Sequence, residues 1–482
     1  MTGFDPSQLK VDLPKKKYKI LTLCDHPLST SGVGVQAGLL FSGLLQTGKY
    51  KFVCLGGAQK HADYRIAQPT PDMIIKPVDG FGTKEQVRQL LLTERPDALF
   101  LFTDPRQFIW VWEMADEIRQ ICPIVYWHVW DNGPYPAFNK IWYDSTDLLN
   151  CLAWKTYELV EPHNKGKTHY IPHAFPKEIY YPMPEQEIKA ISIEKFGDKA
   201  DWFKVLWVNR NATRKLGADV ISCFGDFLDA LEKKHGHRKA LMIMHTDPFD
   251  VEGANLVEVS NLYGLKDHVM FSTEKLAPKD MNLVHNLCDT LINIAKAEGF
   301  GLSPLIQMMT GKPIIALTTG GMTRQVIDHR DGTENGVAIP PASKQLVGSQ
   351  LVPYIYEDFT NHQQVVDAFM KIYEMTPEQK DAMKKKVLEY VDYEFNYKNV
   401  ISKWDETLEK CIKDFKIKRP KSWSIQEIKN PNPQPTTTTE QTEKILEQNK
   451  IVLEPEVKKL PIDITAFLMK NINITRFIGV TK

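Results

Sequence analysis

The stretch Glu298-Gly-Phe-Gly-Leu-Ser-Pro-Leu-Ile-Gln-Met-Met-Thr-Gly311-Lys-Pro313 sets an acid beside a glycine turn that opens a short helix. The first turn of a helix carries unpaired N–H groups and the positive end of the peptide dipole, and glycine lets an anion approach that backbone closely. The stretch reads as an anion site, with Glu298 placed to accept hydrogen bonds from hydroxyls on whatever the anion carries. Apolar, strand-like runs flank it at 290–294 and 313–317. Strand, glycine turn, helix and strand in that order are the repeating unit of an α/β sheet.

Working outward, the same alternation of short apolar runs with longer amphipathic ones extends from about residue 18 to about residue 340. In the first half it predicts strands at 19–24, 51–55, 98–102, 124–127 and 168–171, with helices between them, such as 33–45 and 84–94. In the second half it predicts strands at 204–208, 240–245, 268–272, 290–294 and 313–317. Each half is expected to be its own doubly wound, Rossmann-like domain. The join falls where Pro172, Pro176, Pro182 and Pro184 break both periods. The expected division is 1–175, 176–390, a closing helical segment at 391–415, and a linker and tail at 416–482. Within the tail, Lys429-Asn-Pro-Asn-Pro-Gln-Pro-Thr-Thr-Thr-Thr439 has linker composition. Ligands of open α/β sheets bind beyond the carboxyl ends of the strands, so two such domains facing one another define a cleft for two substrates.

Lys plus Arg and Asp plus Glu both number 60, so no net field points to nucleic acid or an anionic membrane. The seven cysteines are scattered, with no CxxC pair or metal-ligand spacing, and read as buried free thiols of a reducing compartment. No apolar run approaches the roughly 20 residues of a membrane span, and the first residues lack an apolar signal core. A cytoplasmic protein is expected.

Three further segments carry candidate chemistry. Ser31-Gly32-Val33-Gly34-Val35-Gln36 follows the first strand and opens a helix, the order a phosphate loop requires; a glycine turn needed only for backbone geometry fits equally. Val205-Leu-Trp-Val-Asn-Arg210-Asn-Ala-Thr-Arg214-Lys215-Leu-Gly217 runs a buried strand into a loop with three cations. Such cations at a strand's carboxyl end suit a diphosphate, although a solvated basic turn has the same composition. His128 ends an apolar strand that runs straight into Asp131-Asn-Gly133-Pro134, so it is expected to look into the cleft rather than the core. Trp110, Trp112, Trp127, Trp130 and Trp142 are read as packing of the first domain, with an acceptor groove as the alternative for one or two of them. Thr318-Thr-Gly-Gly321 reads as a ligand loop or a turn. His163, His169 and His173 have no recognised ligand spacing, and no metal site is expected.

Taken in order, SGVGVQ, His128 after a strand, VNRNATRKLG, EGFGLSPLIQMMTGKPIIA and TTGG resemble the GT-B glycosyltransferases, in particular the large retaining family called GT4. The likeness runs from about 18 to 415 and is strongest between 203 and 327. It implies transfer of a sugar from a nucleotide diphosphate donor, such as a UDP- or GDP-sugar, to an acceptor, with retention at the anomeric carbon and neither cofactor nor obligatory metal. By the same resemblance Arg210 and Lys215 neutralise the diphosphate, and the N–H groups of Phe300, Gly301 and Leu302 assist. Gly32 and Gly34 let the first domain's loop close on the donor. Glu298 holds the donor sugar, and His128 contacts it from the acceptor side. The leaving phosphate oxygen takes the acceptor's proton.

Two positions depart from the family pattern. The second glutamate, eight positions after the first and assigned there to the ribose, is Ile306, with Gly311 and Pro313 still in register. The segment Ile171-Pro-His-Ala-Phe replaces the asparagine and glycine usual after the proline. Ile306 motivates the alternative of a non-catalytic nucleotide-sugar-binding or partner-supporting protein on the same fold. An epimerase or phosphorylase is a third reading, and no lysine motif for a bound pyridoxal cofactor is evident.

Overall fold

The structure is a computed structural model that describes residues 16–58, 61 and 63–418. The tail assigned from the sequence lies outside the described residues beyond 418. The first domain holds an eight-stranded sheet made of β1 (Tyr18–Asp25), β2 (Tyr50–Gly57), β3 (Ala67–Thr70), β4 (Met73–Pro77), β5 (Ala98–Thr103), β6 (Ile124–His128), β7 (Leu148–Cys151) and β8 (Thr168–Tyr170). Their order is β3-β4-β2-β1-β5-β6-β7-β8, parallel throughout except that β3 runs antiparallel to β4 at the edge. The second domain holds a six-stranded parallel sheet of β9 (Phe203–Val208), β10 (Ala240–His245), β11 (Val269–Ser272), β12 (Thr290–Asn293), β13 (Ile314–Leu317) and β14 (Gly336–Ile339). Its order is β11-β10-β9-β12-β13-β14. A separate antiparallel hairpin, β15 (Ser343–Val347) with β16 (Ile355–Phe359), follows.

The ten strands expected from the sequence are present, with ends shifted by a residue or two. Those added by the structure are short or polar: β7 is Leu-Leu-Asn-Cys, β14 begins on a glycine, and the hairpin reads Ser-Lys-Gln-Leu-Val and Ile-Tyr-Glu-Asp-Phe. A four-residue run with one polar residue lacks the periodicity that marks a longer strand.

The central strands read as unbroken apolar runs because helices cover both faces of each sheet. In β1, Ile20 and Cys24 enter one core cluster while Leu21 and Leu23 enter another. Each sheet reverses its strand order once, between β1 and β5 and between β9 and β12. The loops that leave these four strands are therefore the ones that surround the cleft.

The long final helix Tyr397–Lys418 packs on the first domain although it follows the second in sequence. Trp404 is fully buried, with its ring 5.4 Å from Phe100 and 5.3 Å from Trp127. Tyr397 donates to the Leu39 carbonyl (2.7 Å), and the Tyr50 hydroxyl donates to Asp405 (2.7 Å). The hairpin makes a second bridge: Tyr356 N–H donates to the Gly133 carbonyl at 2.7 Å, and Asn132 donates to the Asp358 carboxylate at 2.8 Å. Trp112, Trp127, Trp130 and Trp142 are buried, as packing of the first domain requires. Among the described residues no helix is long and apolar enough to cross a membrane.

Candidate active site

The site is built where the loops after β9 and β12 meet. One backbone and one side-chain bond join them: Lys296 N–H donates to the Arg214 carbonyl and the Arg214 guanidinium, through Nη1, to the Ala297 carbonyl, both at 3.0 Å. That register drops Lys215 beside Glu298, and the two side chains form an ion pair with only 10% and 12% of their surfaces exposed. Burial alone would raise the Glu298 carboxyl; Lys215 and Arg214 outweigh it and hold the group below the usual glutamate range. Burial lowers the Lys215 ammonium, and the like charge of Arg214 adds to that. A second cation therefore stands beside a pair that is already neutral, and Arg214 makes no ion pair of its own among the described residues.

Arg210 is not brought to this group. Its Nε lies 2.7 Å from Asp250 and its Nη2 3.1 Å from Glu252, on an exposed rim. The inner cation of the loop is Arg214, because the short helical turn Thr213–Lys215 points it and Lys215 toward β12.

The helix Leu302–Met309 begins beside Glu298, with Gly301 at its N-cap in the left-handed region (φ 90°) and no side chain capping it. Gln325 Nε2 donates to the carbonyls of Phe300 (2.7 Å) and Gly301 (3.0 Å). Ser303 Oγ ties the helix to the Val208 carbonyl at the end of β9 (2.9 Å). The carbonyls of Phe300 and Gly301 are thus satisfied from within the domain, and the first-turn N–H groups of the helix have no side-chain cap. Phe300 contributes backbone rather than ring, since the ring packs 4.9 Å from His173 and 5.9 Å from Phe395.

The Thr318-Thr-Gly-Gly321 loop supports this turn from below. A Cβ on Gly321 would lie 2.4 Å from the Phe300 Cα, and Gly321 N–H donates to the Glu298 carbonyl at 2.9 Å. The two glycines of the first domain have different roles. A Cβ on Gly34 would meet its own loop, Ser29 Oγ at 2.1 Å and the His26 carbonyl at 2.7 Å. A Cβ on Gly32 would instead meet Leu302 Cδ1 at 3.0 Å, across the cleft. Gly34 is required by the backbone of its own loop, and Gly32 lies where the two domains approach, with only the end of the Leu302 side chain against it.

His128 departs from its expected orientation. It is fully buried, and its Nε2 is 2.7 Å from the Tyr143 hydroxyl. Alternation along β6 turns Trp127 to one face and Tyr126 and His128 to the other, which is covered by Trp112 and Tyr143. Burial pulls the imidazole down from 6.5 to about 3. The folded protein keeps the ring neutral while the unfolded chain protonates it, so stability falls as pH drops from about 6.5 toward 3, by about 1.4 kcal/mol per pH unit for this one proton. His128→Gln should remove that increment from the slope of unfolding free energy against pH, measured by urea titrations between pH 6 and pH 4. An unchanged slope would refute the neutral, buried assignment.

Ile306 belongs to the apolar core, and Gln307 is buried with Oε1 2.7 Å from His285 Nδ1. Neither supplies a ribose partner. Sequence reasoning also passed over Asp131, quoted only as part of a turn, whose side chain reaches Gly299 from the first domain. Its position three residues past the end of a buried strand was the available signal. Among the described residues no three His, Cys, Asp or Glu side chains are grouped to hold a metal ion.

Solved structures share this fold. The chain is similar over 83% of its length to the whole of sucrose-phosphate synthase from Thermosynechococcus elongatus, with a TM-score of 0.62 at 14% identity. It is similar over 82% to the whole of HepE from Anabaena, crystallised with UDP and glucose, with a TM-score of 0.59 at 16% identity. The chain has the GT-B glycosyltransferase fold. The sequence model of the family described as glycosyl transferases group 1 matches residues 250–351, which include Glu298, the helix it precedes and the Thr-Thr-Gly-Gly loop. Over 70 residues the chain is 37% identical to alpha-1,3/1,6-mannosyltransferase ALG2 of Dictyostelium discoideum, a stretch covering 14% of this GT-B protein and 16% of the length of that relative.

Proposed function

We propose that this protein is a retaining glycosyltransferase of the GT4 type that moves a hexose from a UDP- or GDP-sugar to an acceptor hydroxyl in the cytoplasm, without an obligatory metal. The observation that carries the reading is the buried Lys215–Glu298 pair at the switch point of the second sheet, beside an uncapped helix N-terminus and opposite Gly32. Lys215 and Arg214 hold the diphosphate as it leaves, and the helix start adds its N–H groups. Glu298 takes hydroxyls of the donor sugar and stabilises positive charge developing at the anomeric carbon. Arg210 serves from the rim, and His128 acts from beneath the loop it ends, through the position of Asp131 to Pro134. That HepE was crystallised with UDP and glucose supports a nucleotide-sugar donor on this fold.

The test is donor turnover. The purified chain is incubated with UDP-glucose, UDP-N-acetylglucosamine and GDP-mannose, and released nucleoside diphosphate is measured; at least one donor should be consumed. If none is consumed and none raises the melting temperature, the reading falls. Ile306 favours one second reading, a binder that holds nucleotide sugar without turning it over, which the same assay would show as a melting shift with no release. Within the active reading, Arg214→Ala should lower turnover about 100-fold and Arg210→Ala about 10-fold or less, because an inner cation acts in a drier site than a rim cation already paired to Asp250. The reverse order in steady-state kcat would return the inner role to Arg210.

A further inference from the structure

The Thr-Thr-Gly-Gly loop continues as a single turn and the short helix Thr323–Val326, and this segment touches both domains. Toward the second domain it holds the glycine turn. Gly321 N–H donates to the Glu298 carbonyl (2.9 Å), and Gln325 Nε2 to the carbonyls of Phe300 and Gly301 (2.7 and 3.0 Å). Arg324, one residue before Gln325, serves the first domain. Its guanidinium carbon stands 3.9 Å from the centre of the Trp154 ring and 5.1 Å from that of Tyr170. Those two rings meet edge to face, 5.4 Å apart. The Arg324 Nε lies 3.0 Å from Glu394 Oε1, and the same oxygen accepts the Tyr170 hydroxyl at 2.8 Å. Only 14% of the Arg324 side chain and 8% of the Glu394 side chain are exposed. Stacking and ion pairing both gain strength as water is excluded. The Arg324 carbonyl is fixed as well, by the Tyr390 hydroxyl at 2.6 Å.

We infer that Arg324 is a positioning residue of the transfer step: seated between Trp154, Tyr170 and Glu394, it sets the glycine turn of the second domain against the first domain. Its catalytic consequence rests on the transferase reading, and the contact itself rests on the distances above. Arg324 and Gln325 are consecutive in one helical turn, so the seat of the first fixes where the second holds the Phe300 and Gly301 carbonyls. The groups assigned to the diphosphate, Lys215, Arg214 and the start of the helix Leu302–Met309, all belong to the second domain. They can bind a nucleotide without this contact. Transfer requires more, because the acceptor hydroxyl must stand about 3–3.5 Å from the anomeric carbon, and a misplacement of about 1 Å costs on the order of 100-fold. Loss of Arg324 therefore separates the two: nucleotide binding persists and turnover falls.

The experiment uses the full chain and two variants that break the contact from opposite sides. Arg324→Met keeps the reach of the side chain and removes its charge. Trp154→Ala removes the ring and leaves the Arg324–Glu394 ion pair in place, so a readable variant remains if the first fails to fold. Hydrogen exchange read by mass spectrometry reports the domain contact directly. Tyr356 N–H, which donates across the domains to the Gly133 carbonyl, should exchange at least fivefold faster in the variants, with the amides of β9 unchanged. With whichever of UDP-glucose, UDP-N-acetylglucosamine and GDP-mannose the wild type consumes, kcat should fall at least tenfold, and affinity for UDP or GDP by calorimetry should stay within threefold. The double variant should lose no more than threefold beyond the worse single one, because both changes act through one contact. A smaller rise in exchange, a smaller fall in kcat, or losses that multiply in the double variant would overturn the inference. So would nucleotide affinity that falls in step with kcat, the mark of a role in folding alone. A wild-type chain that consumes no donor overturns the transferase reading and the catalytic part of this inference with it, while faster exchange at Tyr356 in that case upholds the contact.

Discussion

Lys215→Ala is expected to lower donor turnover by roughly 1,000-fold, at the upper end of what one preorganised electrostatic contact contributes. The ammonium is the group in direct contact with Glu298, and both side chains are largely withdrawn from water. Charge that develops on a leaving diphosphate there meets little solvent screening. The substitution also strands a carboxylate. Removing one partner of a fully buried pair costs about 3–5 kcal/mol, and the neighbouring Arg214 should hold the loss nearer 1–3 kcal/mol. The two effects separate in a double variant. Adding Glu298→Gln to Lys215→Ala removes the stranded charge and should recover most of the stability, seen in urea unfolding, with no recovery of turnover. Turnover within tenfold of wild type in a folded Lys215→Ala protein would remove the phosphate assignment.

Gly320→Ala should be the most damaging single-methyl substitution near the site. The added carbon would lie 2.0 Å from the Glu298 carbonyl oxygen and 2.3 Å from the Asp131 carbonyl oxygen, at a φ of 48°. Both obstacles are backbone, so no side-chain rotation relieves them, and the two loops that carry the site must separate. The expected loss exceeds about 3 kcal/mol, above the roughly 1–2 kcal/mol that a left-handed residue costs by conformation alone. Gly332→Ala supplies the control. Its φ is 77° with nothing within 4 Å of an added Cβ, so it should show only the conformational part, about 1 kcal/mol. Equal urea midpoints for the two variants would show that the contact between these loops is not tight.

The sequence was most informative where a residue type has one physical use. Alternating apolar runs marked the buried parallel strands, since strands covered on both faces must be apolar throughout. Glycines beside an acid at a helix start marked the left-handed turn at Gly301 that opens the helix, because few other arrangements need that backbone freedom. The order of motifs marked the GT-B fold. What remained illegible depended on direction. His128 and Trp127 are adjacent in a strand and both are buried, and only the cover on each face shows that His128 turns toward Tyr143. Arg210, Arg214 and Lys215 are equivalent as a list of cations, and only the zipper between the β9 and β12 loops selects the inner two.

By itself, the sequence determined the α/β class, the division into two doubly wound halves and the glycine-acid turn at Glu298, because periodicity and backbone freedom are local properties of the chain. The tertiary structure alone decided that Asp131 reaches the second domain's glycine turn, that Gly32 faces Leu302, and that Lys215 pairs with Glu298 while Arg214 makes no ion pair among the described residues. Those are contacts between residues far apart in sequence, set by how the loops that leave the strands of the two sheets meet, and no local pattern encodes them.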